Sequence, residues 1–298
     1  MKRIILYILS AVVALSVSAQ TFEADYLPSS TLKDKDGERI GKGDMLKLGA
    51  TFKKQLYAER DESGRMKMWD MTFNARYASM DYEGIANALN PDAILNGGIM
   101  LTHVRTIGKR WNMVASLGAS LNAVTDRIRW QSLNMNGGLI FMYSVNRDLH
   151  LGIGAAVTTL YDTPTLFPLP YIAWKKEGRY RIELNMRGVP EMSISTELNK
   201  KATLELKPFK MERMAAVIEQ EGKDMVYSMS TFSSLFSFRY RITENAAWTA
   251  SIGYVWRRNI KNNERSWSGF WDSITDYDNR CKFDNGFRFS TGIKFDIK

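Results

Sequence analysis

Residues 284–298 read DNGFRFSTGIKFDIK, and their alternation decides the fold. Phe287, Phe289, Thr291, Ile293, Phe295 and Ile297 fall on one face of an extended chain; Arg288, Ser290, Gly292, Lys294, Asp296 and Lys298 fall on the other. Successive strand side chains point to opposite faces. Terminal residues fray unless an element ties them down, so a strand this regular calls for a partner along its length. The expectation is an all-β fold: an antiparallel up-and-down transmembrane β-barrel whose last strand closes the wall.

The same period of two recurs upstream. Trp69, Met71, Phe73, Ala75 and Tyr77 oppose Asp70, Thr72, Asn74 and Arg76. Tyr180, Ile182, Leu184 and Met186 oppose Arg179, Arg181, Glu183, Asn185 and Arg187. Phe232, Phe236, Phe238, Tyr240 and Ile242 oppose Thr231, Ser233, Ser237, Arg239 and Arg241. Such runs read as strands with one apolar and one polar face. The best helical candidate, YEGIANALNPDAIL, is interrupted by Pro91 and reads as a loop with a short turn.

The chain opens MKRIILYILSAVVALSVSAQ. Lys2 and Arg3 precede an apolar stretch from Ile4 to Val17, and Val17-Ser18-Ala19 has the small-residue form of a cleavage site. Residues 1–19 are read as a secretory signal peptide and 20–298 as one barrel domain. The apolar stretch is too short to span a bilayer comfortably as a helix. Mean hydropathy is −0.29, a bland average that a barrel with a polar lumen shares with a soluble protein. Cys281 is the single cysteine, so no intramolecular disulfide forms. The net charge of +9 becomes +7 without Lys2 and Arg3. The basic residues alternate with apolar ones instead of forming a block, which argues against nucleic acid as a partner and for anionic glycolipid or an anionic solute.

Turn signals divide the chain. Short ones fall at DESG near Asp61, GKR at Gly108, NRD at Asn146, KEG at Lys176, NKK at Asn199 and TEN at Thr243. Longer connections are expected at 28–43, 81–95, 125–131, 161–166 and 259–280, with brief ones near Gly188 and Gly222. Seven outer connections and six short turns imply about fourteen strands, with twelve as the alternative count and no substantial helix after the signal peptide. Outer-membrane barrels have an even strand number, short periplasmic turns and longer outer loops. Pro164, Pro168 and Pro170 cannot donate to a ladder and fit a loop-to-strand entry better than a strand interior.

A soluble sandwich packs its apolar face inward and shows Lys and Glu outside. Here the polar faces carry Arg, Asn, Ser, Thr and Gly, suited to a lumen. Trp69, Tyr77, Trp111, Trp248, Trp256 and Phe287 sit toward strand ends, as aromatic girdles do. The order LFPLPYIAWKKEGRYRIELNMRGVP, TFSSLFSFRYRITENAAWTASIGYVWRR, FRFSTGIKFDIK resembles an uncharacterised family of Gram-negative outer-membrane β-barrels defined as a domain of unknown function. The closing strand also resembles the C-terminal signal read by the barrel-assembly machinery, departing from it in ending on Lys298 instead of an aromatic residue. The family implies outer-membrane placement and supplies no reaction.

Candidate lumen-lining residues are Arg76, Arg105, Arg181, Glu183, Arg187, Arg239, Arg241 and Arg288. They either line a passage favouring anions or pair with Glu183, Asp70 and Asp284. In NERSWSGFWDSITDYDNR, the residues Trp267, Phe270, Trp271 and Tyr277 either contact a ligand or plug at the mouth, or build a packed hairpin extension. His103 and His150 are the only histidines, and no nucleophile motif, P-loop or dinucleotide fingerprint appears. No cofactor or metal site is expected. The reading is a narrow channel or transporter for small solutes or lipids, against a structural or surface-interaction barrel without flux and against a lipid-modifying enzyme. Expected partners are outer-membrane lipid and glycolipid, with the barrel-assembly machinery during biogenesis.

Overall fold

The computed structural model describes residues 19–84, 90–187, 189–276 and 281–296. The expected signal peptide, but for Ala19, lies outside these residues, as does 85–89, the middle of the segment read as a loop with a turn. Fifteen strand segments follow one another: β1 (Ala19–Lys33), β2 (Arg39–Arg60), β3 (Met66–Gly84), β4 (Ala93–Thr106), β5 (Trp111–Val124), β6 (Leu133–Ser144), β7 (Leu149–Thr158), β8 (Thr165–Lys176), β9 (Arg181–Arg187), β10 (Val189–Glu197), β11 (Ala202–Gln220), β12 (Lys223–Arg241), β13 (Ala246–Glu264), β14 (Cys281–Phe283) and β15 (Gly286–Asp296). A helix, α1 (Trp267–Thr275), lies between β13 and β14.

Each strand pairs antiparallel with its neighbour in sequence. β14 and β15 both pair with β13 on one side and β1 on the other, so they form one wall strand interrupted at Asp284 and Asn285. The result is a closed barrel of fourteen wall strands. The seam runs from Ala19↔Asp296 to Tyr26↔Phe289, which is the pairing the terminal alternation calls for.

The six short turns fall where expected. The 28–43 connection is instead a tight hairpin at 34–38, because β1 runs through Pro28 by a register shift between Leu27 and Ser30. β13 likewise continues to Glu264 before the chain turns into α1. Ser266 caps that helix, its side chain accepting from the Gly269 amide at 3.1 Å. Much of the 259–280 connection is therefore strand and helix.

Pairing fixes the faces. Leu46, Leu48, Ile99, Leu101, Leu117, Leu139, Ile153, Leu206, Phe236, Ile252, Phe289 and Ile293 are exposed on the outer face. Isolated soluble monomers rarely expose so continuous an apolar belt. At the short-turn end this belt finishes in aromatic side chains. Trp69 stacks on His103 at 4.3 Å and Trp111 tilts against Tyr143 at 5.1 Å.

The wall is uneven in height. β9 and β10 have 7 and 9 residues, between 12-residue β8 and 19-residue β11. Pairing of β8 with β9 starts only at Tyr171, and pairing of β10 with β11 stops at Lys210. Residues 165–170 of β8 and 211–216 of β11 thus lack a strand on that side. Pro168 and Pro170 occupy this open edge, where a missing N–H breaks no ladder bond. α1 fills the notch: Phe270 packs on Tyr161 and Phe167 on one flank and on Ala215 and Val226 on the other.

Beyond the notch the tall strands turn inward. Met214–Val217 of β11, Val226–Met229 of β12 and Arg258–Lys261 of β13 are buried at every position. Such runs mark strands covered on both faces. The tip of β11 bridges to β5 at Val217↔Ala123, and the Asn96 side chain on β4 donates to the Ala215 carbonyl at 2.6 Å. At this end β11, β12, β13, β14 and β1 through β5 wrap a dry core of Leu27, Leu32, Met45, Met80, Ile94, Met214, Met229, Ile260 and Phe283. Nine strands enclose little more than the volume that side chains can fill.

The two faces of β12 should respond oppositely to substitution. Phe236 lies five residues from the short-turn end, about 13 Å up a tilted wall and near the middle of the exposed apolar belt. Phe236→Arg should cost about 2–4 kcal/mol and reduce heat-modifiable barrel in outer-membrane fractions. Arg239→Ala, on the inner face, should assemble normally. The reverse pattern would invert the assignment of faces.

Candidate functional site

The inner face changes chemistry with height. On β3 the inward series runs Asp70, Thr72, Asn74, Arg76, then Ala78, Met80, Tyr82. Ala78, Met80 and Tyr82 are buried in the dry core, whereas Asn74 and Arg76 are exposed to the lumen. A charged cluster lies at the boundary.

Arg288 of β15 is at its centre, 1% exposed. Its Nη2 lies 2.8 Å from Asp25 Oδ2 and its Nε 3.3 Å from Asp25 Oδ1, a forked contact with β1. Its Nη1 also donates to Glu212 of β11 and, at 3.2 Å, to Ser233 of β12. Lys47 of β2 approaches Glu212 at 3.0 Å and Asp25 at 3.3 Å. Lys210 adds a contact to Glu212 at 3.2 Å. Ser290 donates to Asp25. Glu212 and Lys47 stand on strands separated around the wall by β12, β13, β15 and β1. Their ion pair therefore crosses the interior. Two carboxylates and three cations satisfy one another where water is largely excluded, the condition under which buried charges are tolerated.

Toward the short turns the interior opens into a cavity of about 1040 Å³. Arg179, Arg181, Lys200, Lys201, Arg239, Arg241 and Lys294 line it, against Glu177, Glu197, Glu244 and Asp296. Seven basic and four acidic groups leave it positive. Arg181 pairs with Glu183 at 2.7 Å and Arg239 with Glu205 at 3.3 Å. Arg241 has no carboxylate partner among the described residues. Glu177, in the β8–β9 turn, is held below the usual carboxylate range by a hydrogen bond and the charge of Lys175, 2.6 Å away.

The wall opposite the charged cluster is paved with small residues. Gly98, Ser116, Gly118, Ser120, Gly138, Gly154 and Ala156 occupy inward positions on β4 to β7. At Gly154 a Cβ would collide with the Leu139 carbonyl oxygen, so the close approach of strands there requires glycine. An amide and hydroxyl ladder climbs beside it. Asn96 donates to Asn122 at 3.1 Å, Asn122 to Ser120 at 3.2 Å, Asn136 to Ser120 at 2.8 Å and Thr158 to Asn136 at 2.9 Å.

Of the sequence candidates, Arg76, Arg181, Glu183, Arg239, Arg241 and Arg288 occupy inward register positions. Arg105 does not: it pairs with Lys67 and Met113 on the face shared with Trp69 and His103. It sits at the outer rim near the short turns, where a long side chain reaches water. Arg187 stands opposite Tyr171, and its side chain lies outside the described residues. Asp70 and Asp284 pair with Lys53 and Lys33 rather than with arginines. Trp267, Phe270 and Trp271 are on α1, with Phe270 inward and both tryptophans exposed; Tyr277 lies outside the described residues. His103 belongs to the outer girdle. His150 Nδ1 lies 3.0 Å from Ser144 Oγ, yet no carboxylate orients the ring among the described residues, so the third member of a hydrolytic triad has no candidate there. Asp25, Lys47 and Glu212 escaped the sequence reading. Their signal is a charged side chain at alternate positions of EADY, MLKL and KMER.

A family profile described as "Domain of unknown function (DUF6268)" matches residues 15–296. No curated protein matches the chain. Among solved structures, an outer membrane channel from Pseudomonas putida F1 is 8% identical over 95% of this chain and 96% of its own, with a TM-score of 0.43. The P. putida toluene transporter TodX is 7% identical over 96% and 92%, with a TM-score of 0.38. The KdgM porin, solved with disordered oligogalacturonate, is 8% identical over 92% and 98%, with a TM-score of 0.31.

Removing the centre of the charged cluster should be severe. Arg288→Ala strands Asp25 and Glu212 without their shared partner and should cost on the order of 3–5 kcal/mol. The measurement is the urea-unfolding midpoint of the detergent-solubilised barrel. Lys33→Ala, whose pair with Asp284 is surface-exposed, should shift the midpoint by no more than about 1 kcal/mol. Equal shifts for the two variants would deny the cluster its role.

Proposed function

The chain belongs to the DUF6268 family, and from that premise we propose that it is a Gram-negative outer-membrane barrel serving as a narrow, normally closed channel for small anionic solutes. The observation carrying this reading is the large basic cavity inside a wall whose outer face is apolar. Basic rings lining a lumen favour anions. The excess of basic over acidic groups there, with Arg241 lacking a carboxylate among the described residues, has no structural task comparable to that of Arg288, which is fully engaged.

The route for a solute runs from this vestibule past exposed Arg76 along the small-residue lane of β4 to β7. The charged cluster and the dry core occupy the other side of the lumen. At the far end α1 stands over the notch, held by Phe270 and by Arg265, which donates to the Leu160 carbonyl at 3.1 Å and pairs with Asp162 at 3.0 Å. The closed outer end also suits a structural barrel without flux, so the test must separate the two.

Membrane fractionation should recover the mature chain in the outer membrane with heat-modifiable mobility; recovery as a soluble periplasmic protein would remove the premise. In planar bilayers the folded protein should show small, infrequent anion-preferring currents. Replacing 267–275 by a Gly/Ser linker should raise open probability, and Arg239→Glu with Arg241→Glu should move the reversal potential toward cation preference. Silence of all three folded forms would favour the structural barrel.

A further inference from the structure

A second cavity, mainly apolar in lining with polar groups set into it, lies on the outside of the wall, where α1 lies on β11 to β13. On β12 the outward series from the short-turn end is Tyr240, Phe238, Phe236, Ser234, Phe232, and then Ser230 and Ser228. On β11 it is Leu204, Leu206, Phe209, Met211, then Arg213. On β13 it is Trp248, Ile252, Tyr254, Trp256, then Arg257 and Asn259. All three strands change from apolar to polar within two residues of one another: Arg257 pairs with Phe232 itself, and Arg213 and Asn259 pair with Ser230 beyond it. From Tyr240 to Phe232 is about 26 Å of strand, or about 20 Å of height at the usual tilt, close to the full apolar band of an outer-membrane barrel. The polar side chains above Phe232 therefore stand at headgroup level on the long-loop side.

At that level there is a cavity of about 480 Å³, with α1 residues Ser273 and Ile274 on one side and Met211 and Phe232 on the lipid side. Arg213 and Arg257 enter it, both exposed and neither paired with a carboxylate among the described residues. Among the described residues Arg213 makes long contacts, 3.4 Å each, to the Tyr161 and Ser273 hydroxyls. At its back Asn259 is 4% exposed, and its Oδ1 has no hydrogen-bond partner among the described residues. A buried amide oxygen left without a donor is costly. Lys261, behind it, is held by the Asp276 carbonyl at 2.8 Å and the Asp272 carbonyl, which fixes α1 over the cavity. On the helix surface Trp267, Trp271 and Ile274 are exposed, as on an element lying at a membrane interface.

We propose that this cavity binds the phosphorylated, hydroxyl-bearing headgroup of an outer-leaflet glycolipid. Two guanidinium groups take the phosphate by charge-assisted hydrogen bonds. A sugar hydroxyl supplies the donor that Asn259 lacks. The acyl chains continue down Met211, Phe232 and Phe236, which face the bilayer. The inference rests on the barrel spanning the outer membrane and is independent of whether it conducts.

Native mass spectrometry of the full barrel, purified in mild detergent and titrated with lipopolysaccharide, should show one glycolipid retained per chain. Arg213→Gln with Arg257→Gln should weaken retention by at least about tenfold, since each lost charge-assisted contact contributes to affinity; heat-modifiable mobility verifies folding. Asn259→Leu, of similar volume and without the orphan oxygen, should weaken it less. Glucose 1-phosphate, offered free, should bind far more weakly than the lipid. Unchanged retention by the double variant, equal retention of phosphatidylethanolamine, or equal binding of free sugar phosphate would each overturn the proposal. Silence in planar bilayers would leave it standing, whereas recovery of the chain as a soluble protein would remove its basis.

Discussion

An open sheet edge leaves a row of backbone N–H and C=O groups without partners, and closing that edge is the constraint that organises the molecule. It accounts for the seam between β1 and β15, in which Ala19 through Tyr26 pair with Asp296 back to Phe289. It also explains why the uneven wall is not simply open. Where β9 and β10 stop short, the edges of β8 and β11 would present unpaired ladders. Three devices deal with them: prolines on β8, an inward bend that brings β11 to β4 and β5, and α1 laid across the gap. Each is a known way of managing an exposed edge.

The inward bend sets the chemistry of the interior. A fourteen-stranded wall encloses more space than side chains fill, so its lumen is wet at the short-turn end. Once β11 reaches β5, the enclosed strand count falls to nine and an apolar core becomes the stable filling. Even there one cation is retained. Arg258, 2% exposed, lies 3.9 Å above the Phe283 ring and donates to the Tyr82 hydroxyl at 2.8 Å, with no carboxylate partner among the described residues. Cation–π attraction, that hydrogen bond and a weaker one from Nε to the Met229 sulfur at 3.5 Å replace an ion pair.

The strand count and the faces of β3, β12 and β15 were legible because a period of two survives whichever side is wet. What could not be read was height. TFEADYLPSSTLK carries the same alternation throughout, yet Asp25 joins a charged cluster and Leu32 a dry core, a difference set by how far β11 bends. Arg105 was misplaced for a related reason: near a strand end an arginine on the outer face reaches water, so its charge says nothing about parity. The helix at 267–275 was hidden by aromatic residues and Gly269, poor helix formers whose positions are decided by packing on Tyr161 and Phe167. Pro168 and Pro170 read as a loop-to-strand entry, yet they lie inside β8, paired with β7 on one side and facing no strand on the other, which is the edge position that tolerates proline.

The charged cluster lies where the two regimes of the interior meet, and that position explains its composition. Above it a lone carboxylate would be desolvated by the dry core; below it a lone arginine would be hydrated and mobile. Arg288, bound at once to β1, β11 and β12, ties the bending strand to the seam. The tie fixes the height at which β11 leaves the wall, because Glu212 can reach Arg288 and Lys47 from one register only, and a slip of one residue would turn its side chain to the other face. Replacing such a cluster with apolar residues often leaves stability unchanged, but it would let the bend slide along β11. The charge here specifies a geometry, and the vestibule, the sealed core and the notch beneath α1 all follow from where that bend is set.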